Sequence, residues 1–546
     1  MRVQGLMQDW PLTVDRIIDH AAGWHGDREI VTRSIEGPIV RLTYAEAHTR
    51  AKRLSNALAA QGVGPGDRVA TLAMNTGRHL ETWYGVMGMG AVCHTLNPRL
   101  HPDQLVYMLN HADDRMVLAD ACFAPLLAAV LPRAPTVETV VWLTDAPVLP
   151  AAPHGVGYEA WIAGHSDRFD WGGFDERTAA GLCYTSGTTG DPKGVLYSHR
   201  SNVLHSYMAL QADVMDLSAQ DAVLMVVPMF HANGWGLPFS GAAVGAKLVL
   251  PGLKMDPASL HELIETEGVT FSAAVPTVWG ALLQHLDATG EKLSTLKRVV
   301  VGGALCPPAL IQGFHDRHGV EVLHGWGMTE TSPLGVVGAP TAAMADRPFA
   351  DQLGQRLKQG RPPFGFELKV ADEAGRTLPR DGKTPGRLMA RGPAVASGYF
   401  GREDEPVLDG EGFFDSGDIA TLDADGFMQI TDRAKDVIKS GGEWISSVEI
   451  EGLIGSDPRV ELCAVIGLPH PKWDERPLLA VKLRPGQSAT AGEMLAVLEG
   501  RIARWWTPDE VVFVEDIPLG ATGKVDKKLV RARFAGHKLA STMSEA

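Results

Sequence analysis

Cysteine is scarce. The five in 546 residues, at positions 93, 122, 183, 306 and 463, are scattered, odd in number and free of Cys-x-x-Cys spacing, which argues against a disulfide framework or a cysteine-based structural zinc site. Basic residues are in deficit: 50 Lys and Arg stand against 65 Asp and Glu, a net charge of −15 with no basic stripe, so nucleic-acid binding is excluded as a reading. Long apolar runs are also missing. No stretch offers about 18 uninterrupted apolar residues, and Met1-Arg2-Val3-Gln4-Gly5-Leu6 leads into polar sequence without an apolar signal core. The expectation is a soluble cytoplasmic protein with no integral membrane segment. Low-complexity tracts and internal repeats are absent too.

What is present is ordinary globular material, 45% hydrophobic and 21% charged, in a chain too long for one domain. Thr43-Tyr44-Ala45-Glu46 reads as a capping box before Ala47, Ala51, Leu54 and Leu58 at helical spacing, Gly62 closes that helix, and Arg68 to Ala73 reads as a strand. The rhythm returns as a helix over 256–267 with a strand over 269–274, then a strand over 298–301, a helix over 309–318 and a strand over 320–323. Such alternation predicts an α/β fold with largely parallel sheets covered on both faces. Beyond about residue 435 the pattern changes: a helix over 448–455, strands over 460–466 and 478–483, and a helix over 491–505 predict a small α+β domain. The expected division is a 1–434 domain and a 435–546 domain, joined at Thr431-Asp432-Arg433-Ala434-Lys435-Asp436.

The most informative stretch is Tyr184-Thr185-Ser186-Gly187-Thr188-Thr189-Gly190-Asp191-Pro192-Lys193-Gly194-Val195. Its glycines allow close backbone approach, its hydroxyls donate hydrogen bonds and Lys193 adds charge, a set suited to a polyphosphate. It is not a Walker A loop, because Pro192 precedes the lysine and Gly194 stands where Ser or Thr is needed. A lone segment of this kind is more often a flexible turn. Five further motifs follow in order: Pro228-Met229-Phe230-His231, Gly325-Trp326-Gly327-Met328-Thr329-Glu330-Thr331, Phe414-Asp415-Ser416-Gly417-Asp418, Asp432 to Asp436, and Pro518 to Lys524.

With these motifs the chain resembles, over nearly its whole length, the adenylate-forming superfamily of acyl-CoA synthetases, peptide-synthetase adenylation domains and firefly luciferase. Lys439-Ser440-Gly441-Gly442-Glu443-Trp444-Ile445-Ser446 and His470-Pro471-Lys472-Trp473-Asp474-Glu475-Arg476-Pro477 make it most similar to bacterial fatty-acyl-CoA synthetases and methylthiopropionate-CoA ligases. The resemblance implies a large AMP- and acyl-binding domain, a small mobile domain carrying a catalytic lysine, and a homodimer. It also implies ATP, Mg²⁺ and coenzyme A as cofactor and co-substrates, with a carboxylic acid as the partner substrate.

By the same resemblance Thr185 and Glu330 hold Mg²⁺, and Ser186, Gly187, Thr188, Thr189, Gly190 and Lys193 cradle phosphates. Gly303, Ala304, Gly325, Trp326, Gly327, Met328 and Thr329 form the adenylate segment, while Asp418 and Arg433 meet the ribose. Taken singly, either of the last two reads equally as half of a structural ion pair. Lys524 is the implied catalytic lysine, His231 an orienting group, Lys435 the hinge, and Lys439, Gly441, Gly442 and Trp444 the set for thioester formation. Lys527 and Lys528 match no motif and read as surface charges; Cys183 reads as a buried strand cysteine.

An acyl pocket is implied at Trp235, Val275, Gly302, Trp326 and Met328, with Gly303 beside them, a mostly apolar set without a partner for a polar tail. Amino-acid-activating relatives commonly carry Asp after the phenylalanine of the second motif, where this chain has His231. The expected acid is therefore aliphatic and of medium chain length, with long-chain acids and 3-methylthiopropionate as alternatives. Trp235 either shortens the tunnel or gates it. A luciferase-like oxidoreductase, an acyl-AMP ligase loading a carrier protein and a silent nucleotide-binding protein are the competing functions. Two departures stand out: Gly386-Arg387-Leu388 where relatives have Gly-Glu-Leu, and Ala394 where larger residues are frequent.

Overall fold

The computed structural model describes residues 5–185, 191–440, 443–520 and 525–539. Most of the strands fall into two large sheets. One has eight strands in the order 334–337, 321–327, 298–301, 271–274, 222–224, 247–250, 29–33 and 39–43; the other has seven, in the order 156–157, 139–142, 116–119, 68–72, 92–95, 179–184 and 194–198. Neighbours run parallel through both interiors and antiparallel only at three edge pairs: 29–33 with 39–43, 321–327 with 334–337, and 179–184 with 194–198. An antiparallel pair closes directly, whereas a parallel pair needs a crossover of a dozen or more residues. Two of the chemically suggestive segments lie at these direct closures.

Local signals in the sequence set several elements. Thr43 and Glu46 form the capping box of the helix Tyr44–Ala60, and Asp256 caps the helix Pro257–Glu267 through the Ser259 amide. The sheets share a core that includes Ile30, Val223 and Leu248 from one, Val69, Cys93 and Leu118 from the other, and Trp83 and Phe239 from helices between them, their rings 5.6 Å apart.

A four-stranded antiparallel sheet (367–371, 386–391, 414–422, 428–433) follows, then a smaller domain whose sheet includes Val460–His470 paired with Asp474–Leu483. Three elements differ from the sequence-based reading. The strand expected over 320–323 runs from Glu321 to Gly327 and takes in Gly325 and Trp326. The strands expected over 460–466 and 478–483 extend until they meet as one long hairpin turning at 471–473, so His470 to Pro477 is its tip. The helix expected over 491–505 stops at Ala496 and gives way to turns that include Gly500 at φ +71°, a conformation that cannot continue a helix, and only a 3₁₀ turn forms at Arg504–Trp506. Among the described residues no helix is long and apolar enough to cross a membrane.

Candidate active site

The phosphate-like segment closes the edge pair 179–184 and 194–198, in which Cys183 faces Val195 and Tyr184 faces Gly194. The Thr185 amide donates to the Lys193 carbonyl at 2.9 Å and the Lys193 amide to Thr185 Oγ1 at 3.4 Å, so the segment is pinned at both ends. Ser186, Gly187, Thr188, Thr189 and Gly190 lie outside the described residues. Lys193 Nζ sits 4.7 Å from the centroid of the Tyr399 ring, and the Tyr399 hydroxyl donates to Glu330 Oε1 at 2.8 Å. Burial raises the Glu330 carboxyl above the usual range, opposed by the Tyr399 hydrogen bond and the charges of Arg433 and Lys193. Tyr197 donates to the Thr329 carbonyl at 2.7 Å, tying the Glu330 segment, which leaves one large sheet, to an edge strand of the other. Neither tyrosine was legible as a site residue, since each gains its partner only when segments far apart in sequence meet. Glu330 and Thr185 offer hard oxygen donors, a carboxylate and a hydroxyl, which fit Mg²⁺.

Asp418 and Arg433 face each other across an antiparallel pair, with Arg433 Nε 2.8 Å from Asp418 Oδ1. The Trp326 indole N–H donates to Asp418 Oδ2 at 2.7 Å. Asp418 is only 4% exposed, so both contacts are needed to hold its charge. The Trp326 ring lies over Gly335, where a methyl group would come within 2.5 Å of it. Gly303 turns with φ +80° and Ala304 is exposed at the end of the neighbouring strand. Arg387 forms an ion pair with Asp415, which belongs to the Asp418 motif, so this departure adds a salt bridge to that motif. Ala394 is buried, its carbonyl accepting from Ser332 Oγ at 2.7 Å.

Trp235 is the fourth in a run of five residues, Ala232 to Gly236, all with positive φ between 44° and 74°; such a left-handed turn costs roughly 1–2 kcal/mol per non-glycine residue and persists only when its surroundings dictate it. Those surroundings include Asn202, whose side chain accepts from Asn233 Nδ2 at 3.2 Å. The Trp235 ring packs on Gly302, where a methyl group would lie 2.9 Å from Cη2, and the Gly302 amide bonds the carbonyl of Ala274, next to half-buried Val275. Trp326 and Met328 have further contacts: the indole N–H of Trp326 donates to Asp418, and Met328 packs with Cys183, Tyr197, Tyr399 and Phe414. His231 lines a small cleft with Thr95, Asn97, Met108, Tyr184 and Phe230. Cys183 is buried in its strand, and burial pushes its thiol up, away from thiolate chemistry.

Near the domain junction, Lys435 and Lys439 are exposed, and Lys439 faces Trp444 in a short strand pair. Gly441, Gly442 and Lys524 lie outside the described residues. The segment carrying Lys524 is closed by a bridge between Leu519 and Val525 and by the Asp526 amide on the Pro518 carbonyl at 2.9 Å. Lys528 is exposed as expected, but Lys527 is not a surface charge. Its side chain is 10% exposed, pairs with Glu451 at 2.9 Å and donates to Ser447 Oγ at 2.5 Å. Ser447 in turn donates from its amide (2.5 Å) and hydroxyl (3.0 Å) to the buried Asp432. Burial alone would depress the Lys527 ammonium, yet Glu451 and Asp432 outweigh it and raise its pKa.

The family model "AMP-binding enzyme" matches residues 18–400, and "AMP-binding enzyme C-terminal domain" matches 449–524. The chain is 50% identical to a 3-methylmercaptopropionyl-CoA ligase of Ruegeria pomeroyi over 97% of this chain and 98% of that one. It is 46% identical to a medium-chain-fatty-acid–CoA ligase of Ectopseudomonas oleovorans over 99% of each. Among solved structures, the anthranilate CoA ligase AuaEII in complex with anthranoyl-AMP superposes with a TM-score of 0.85 at 25% identity, covering 96% of this chain and 99% of the other.

Proposed function

The chain belongs to the AMP-binding enzyme family and is an AMP-forming acyl-CoA ligase, and we propose that the acid it activates is a medium-chain fatty acid. The observation that carries this reading is the Trp235 ring lying on Gly302, an apolar wall in an implied acyl set, Trp235, Val275, Gly302, Trp326 and Met328, whose own side chains carry no charge to meet a polar tail. In the first half-reaction the acid's carboxylate oxygen attacks the α-phosphorus of ATP, and pyrophosphate leaves with the electron pair of the broken P–O bond. In the second, the CoA thiol loses its proton, adds to the acyl carbonyl and expels AMP.

Lys193 and the residues from Ser186 to Gly190 then offset phosphate charge, and Lys524 bridges the attacking carboxylate and the α-phosphate. Thr185 and Glu330 would hold Mg²⁺, which supplies charge neutralisation for the departing pyrophosphate. A carboxylate has about four lone-pair sites, so Asp418 retains capacity for the ribose hydroxyls beside its bonds to Trp326 and Arg433. Gly303, Ala304 and Gly325 border the adenine, and His231 orients the reacting groups. The division falls at 434/435 with Lys435 as the hinge, and Lys439, Gly441, Gly442 and Trp444 serve the thioester step. This reading also takes the enzyme to be cytoplasmic, on its scattered cysteines and the absence of long apolar runs in the sequence, and a homodimer, on family resemblance.

A second reading, 3-methylthiopropionate as the acid, is favoured by the 50% identity to the Ruegeria pomeroyi ligase. The test is a chain-length series of saturated acids together with 3-methylthiopropionate, each with ATP, Mg²⁺ and CoA, following AMP and thioester. The expected result is a maximum of kcat/KM among medium-chain acids. A maximum at 3-methylthiopropionate or at long chains would replace the substrate, and turnover only with a phosphopantetheinyl carrier would replace the acceptor.

A further inference from the structure

His261 on the helix Pro257–Glu267, His285 on the helix Pro276–Thr289 and Glu291 just beyond it converge at the side of the eight-stranded sheet, among residues with no part in the chemistry above. His261 Nε2 lies 3.0 Å from the Lys292 carbonyl oxygen. A carbonyl only accepts, so Nε2 donates to it and the opposite nitrogen, Nδ1, is the ring atom left to act as a ligand. That nitrogen faces Glu291 Oε2 at 3.4 Å, and His285 Nε2 faces the same oxygen at 3.2 Å. The Glu291 carboxylate thus meets a ring nitrogen from each of two helices. Among the described residues Glu291 has no lysine or arginine partner, and the Lys292 ammonium bonds the Arg317 carbonyl at 3.4 Å instead.

We propose that His261 Nδ1, His285 Nε2 and a Glu291 carboxylate oxygen form a binding site for a divalent transition-metal ion of the Zn²⁺ type, separate from the Mg²⁺ of the reaction. Tetrahedral zinc with Zn–N and Zn–O bonds of about 2.0–2.1 Å spaces its ligand atoms by about 3.3–3.4 Å. The 3.2 and 3.4 Å separations match that edge, and the three donor atoms all lie within 4.8 Å of one another. Two imidazoles and a carboxylate are a recurrent zinc set with a fourth position for water, on the side where Glu291 is exposed.

The surroundings supply the supporting contacts such ligands use. The Lys292 carbonyl fixes the His261 tautomer, and the Thr289 hydroxyl donates to Glu291 Oε2 at 2.9 Å. His318 lies within electrostatic reach of His261, with both ring nitrogens buried and without a hydrogen-bond partner. Bound metal would clip one helix to the end of the next and so stiffen that flank of the large domain.

The experiment uses the full-length chain without a polyhistidine tag, stripped with a chelator, in the absence of ATP, Mg²⁺ and CoA. Zn²⁺ is titrated calorimetrically and Co²⁺ by visible absorption. One equivalent of Zn²⁺ and a tetrahedral Co²⁺ spectrum are expected in the wild type, with both lost in His261→Ala and His285→Ala and affinity about 10-fold weaker in Thr289→Ala. Acyl-CoA formation in these variants should stay at the wild-type level, which shows that they fold. Absence of stoichiometric binding, unchanged binding in His285→Ala, or ¹⁵N chemical shifts showing His261 as an imidazolium whose charge satisfies Glu291 in metal-free protein that does not take up Zn²⁺, would each overturn the assignment.

Discussion

The Tyr399 hydroxyl donates to Glu330 Oε1 at 2.8 Å, joining residues 69 positions apart and holding a buried carboxylate beside Lys193. Tyr399→Phe removes the donor and leaves the carboxylate under-satisfied, a loss of about 1–3 kcal/mol. Pyrophosphate exchange should fall about 10- to 100-fold, with the apparent affinity for Mg²⁺·ATP weakened and that for CoA kept. An unchanged Mg²⁺ dependence would show that Tyr399 does not position Glu330.

Lys527 anchors the carboxyl-terminal helix to Glu451 and, through Ser447, to Asp432. Lys527→Met strands a buried anion and should destabilise the small domain by roughly 3–5 kcal/mol, read in urea unfolding. Lys527→Met with Glu451→Gln should recover much of that loss. Equal instability of the single and double variants would deny the pairing.

Gly302 and Trp235 are in contact, so their substitutions should couple. Trp235→Gly opens volume and suits the positive φ of 55°, so the preferred acid should shift toward longer or bulkier chains in a folded enzyme. Gly302→Ala would place a methyl 2.9 Å from the indole and should raise KM for the acid, an effect relieved in the double variant. Additive effects on the chain-length profile would separate the two residues.

Burial holds His79, His199 and His205 down to about 4 from the ordinary 6.5, and all three are neutral near pH 7. His79 Nε2 accepts from the Trp83 indole at 3.0 Å, a bond that protonation would break. Because the unfolded chain binds these protons first, stability is full above pH 6.5 and falls as pH drops from 6.5 toward 4. Each histidine should contribute a slope of about 1.4 kcal/mol per pH unit in that window. His79→Gln should flatten the pH dependence of the unfolding free energy between pH 6.5 and 4, and an unaltered slope would contradict a neutral buried His79.

The two half-reactions should separate by lysine. Lys524→Ala is expected to lower acyl-AMP formation by about 10²–10³ while supplied acyl-AMP still reacts with CoA. Lys439→Ala should show the reverse bias. Pyrophosphate exchange and thioester formation from synthetic acyl-AMP are the two measurements, and equal loss of both in Lys524→Ala would contradict the division.

Elements governed by near neighbours were legible in the chain itself. Thr43 with Glu46 and Asp256 with Ser259 act over three residues, and apolar periodicity placed the strand at 298–301 and the helix ending at His318. Motif order carried the family, because the reaction needs particular residue types at particular spacings. The same local reasoning overran beyond Ala496, where periodicity alone would continue a helix that the structure replaces with turns and a left-handed Gly500.

Only the tertiary structure decided what depends on residues far apart in sequence. Strand register set Arg433 on Asp418, and the arrival of Trp326 from another sheet completed that carboxylate. Packing of distant segments made Tyr399 and Tyr197 site residues and set the Trp235 ring on Gly302. Lys527 is the plainest instance: a lysine in a basic tail is solvated by default, and it is buried here because Glu451 and Asp432 together repay its desolvation. Local preferences, worth a few tenths of a kcal/mol to about one, are written residue by residue in the chain, whereas buried charges and close ring contacts exist only once distant segments share a dry interior.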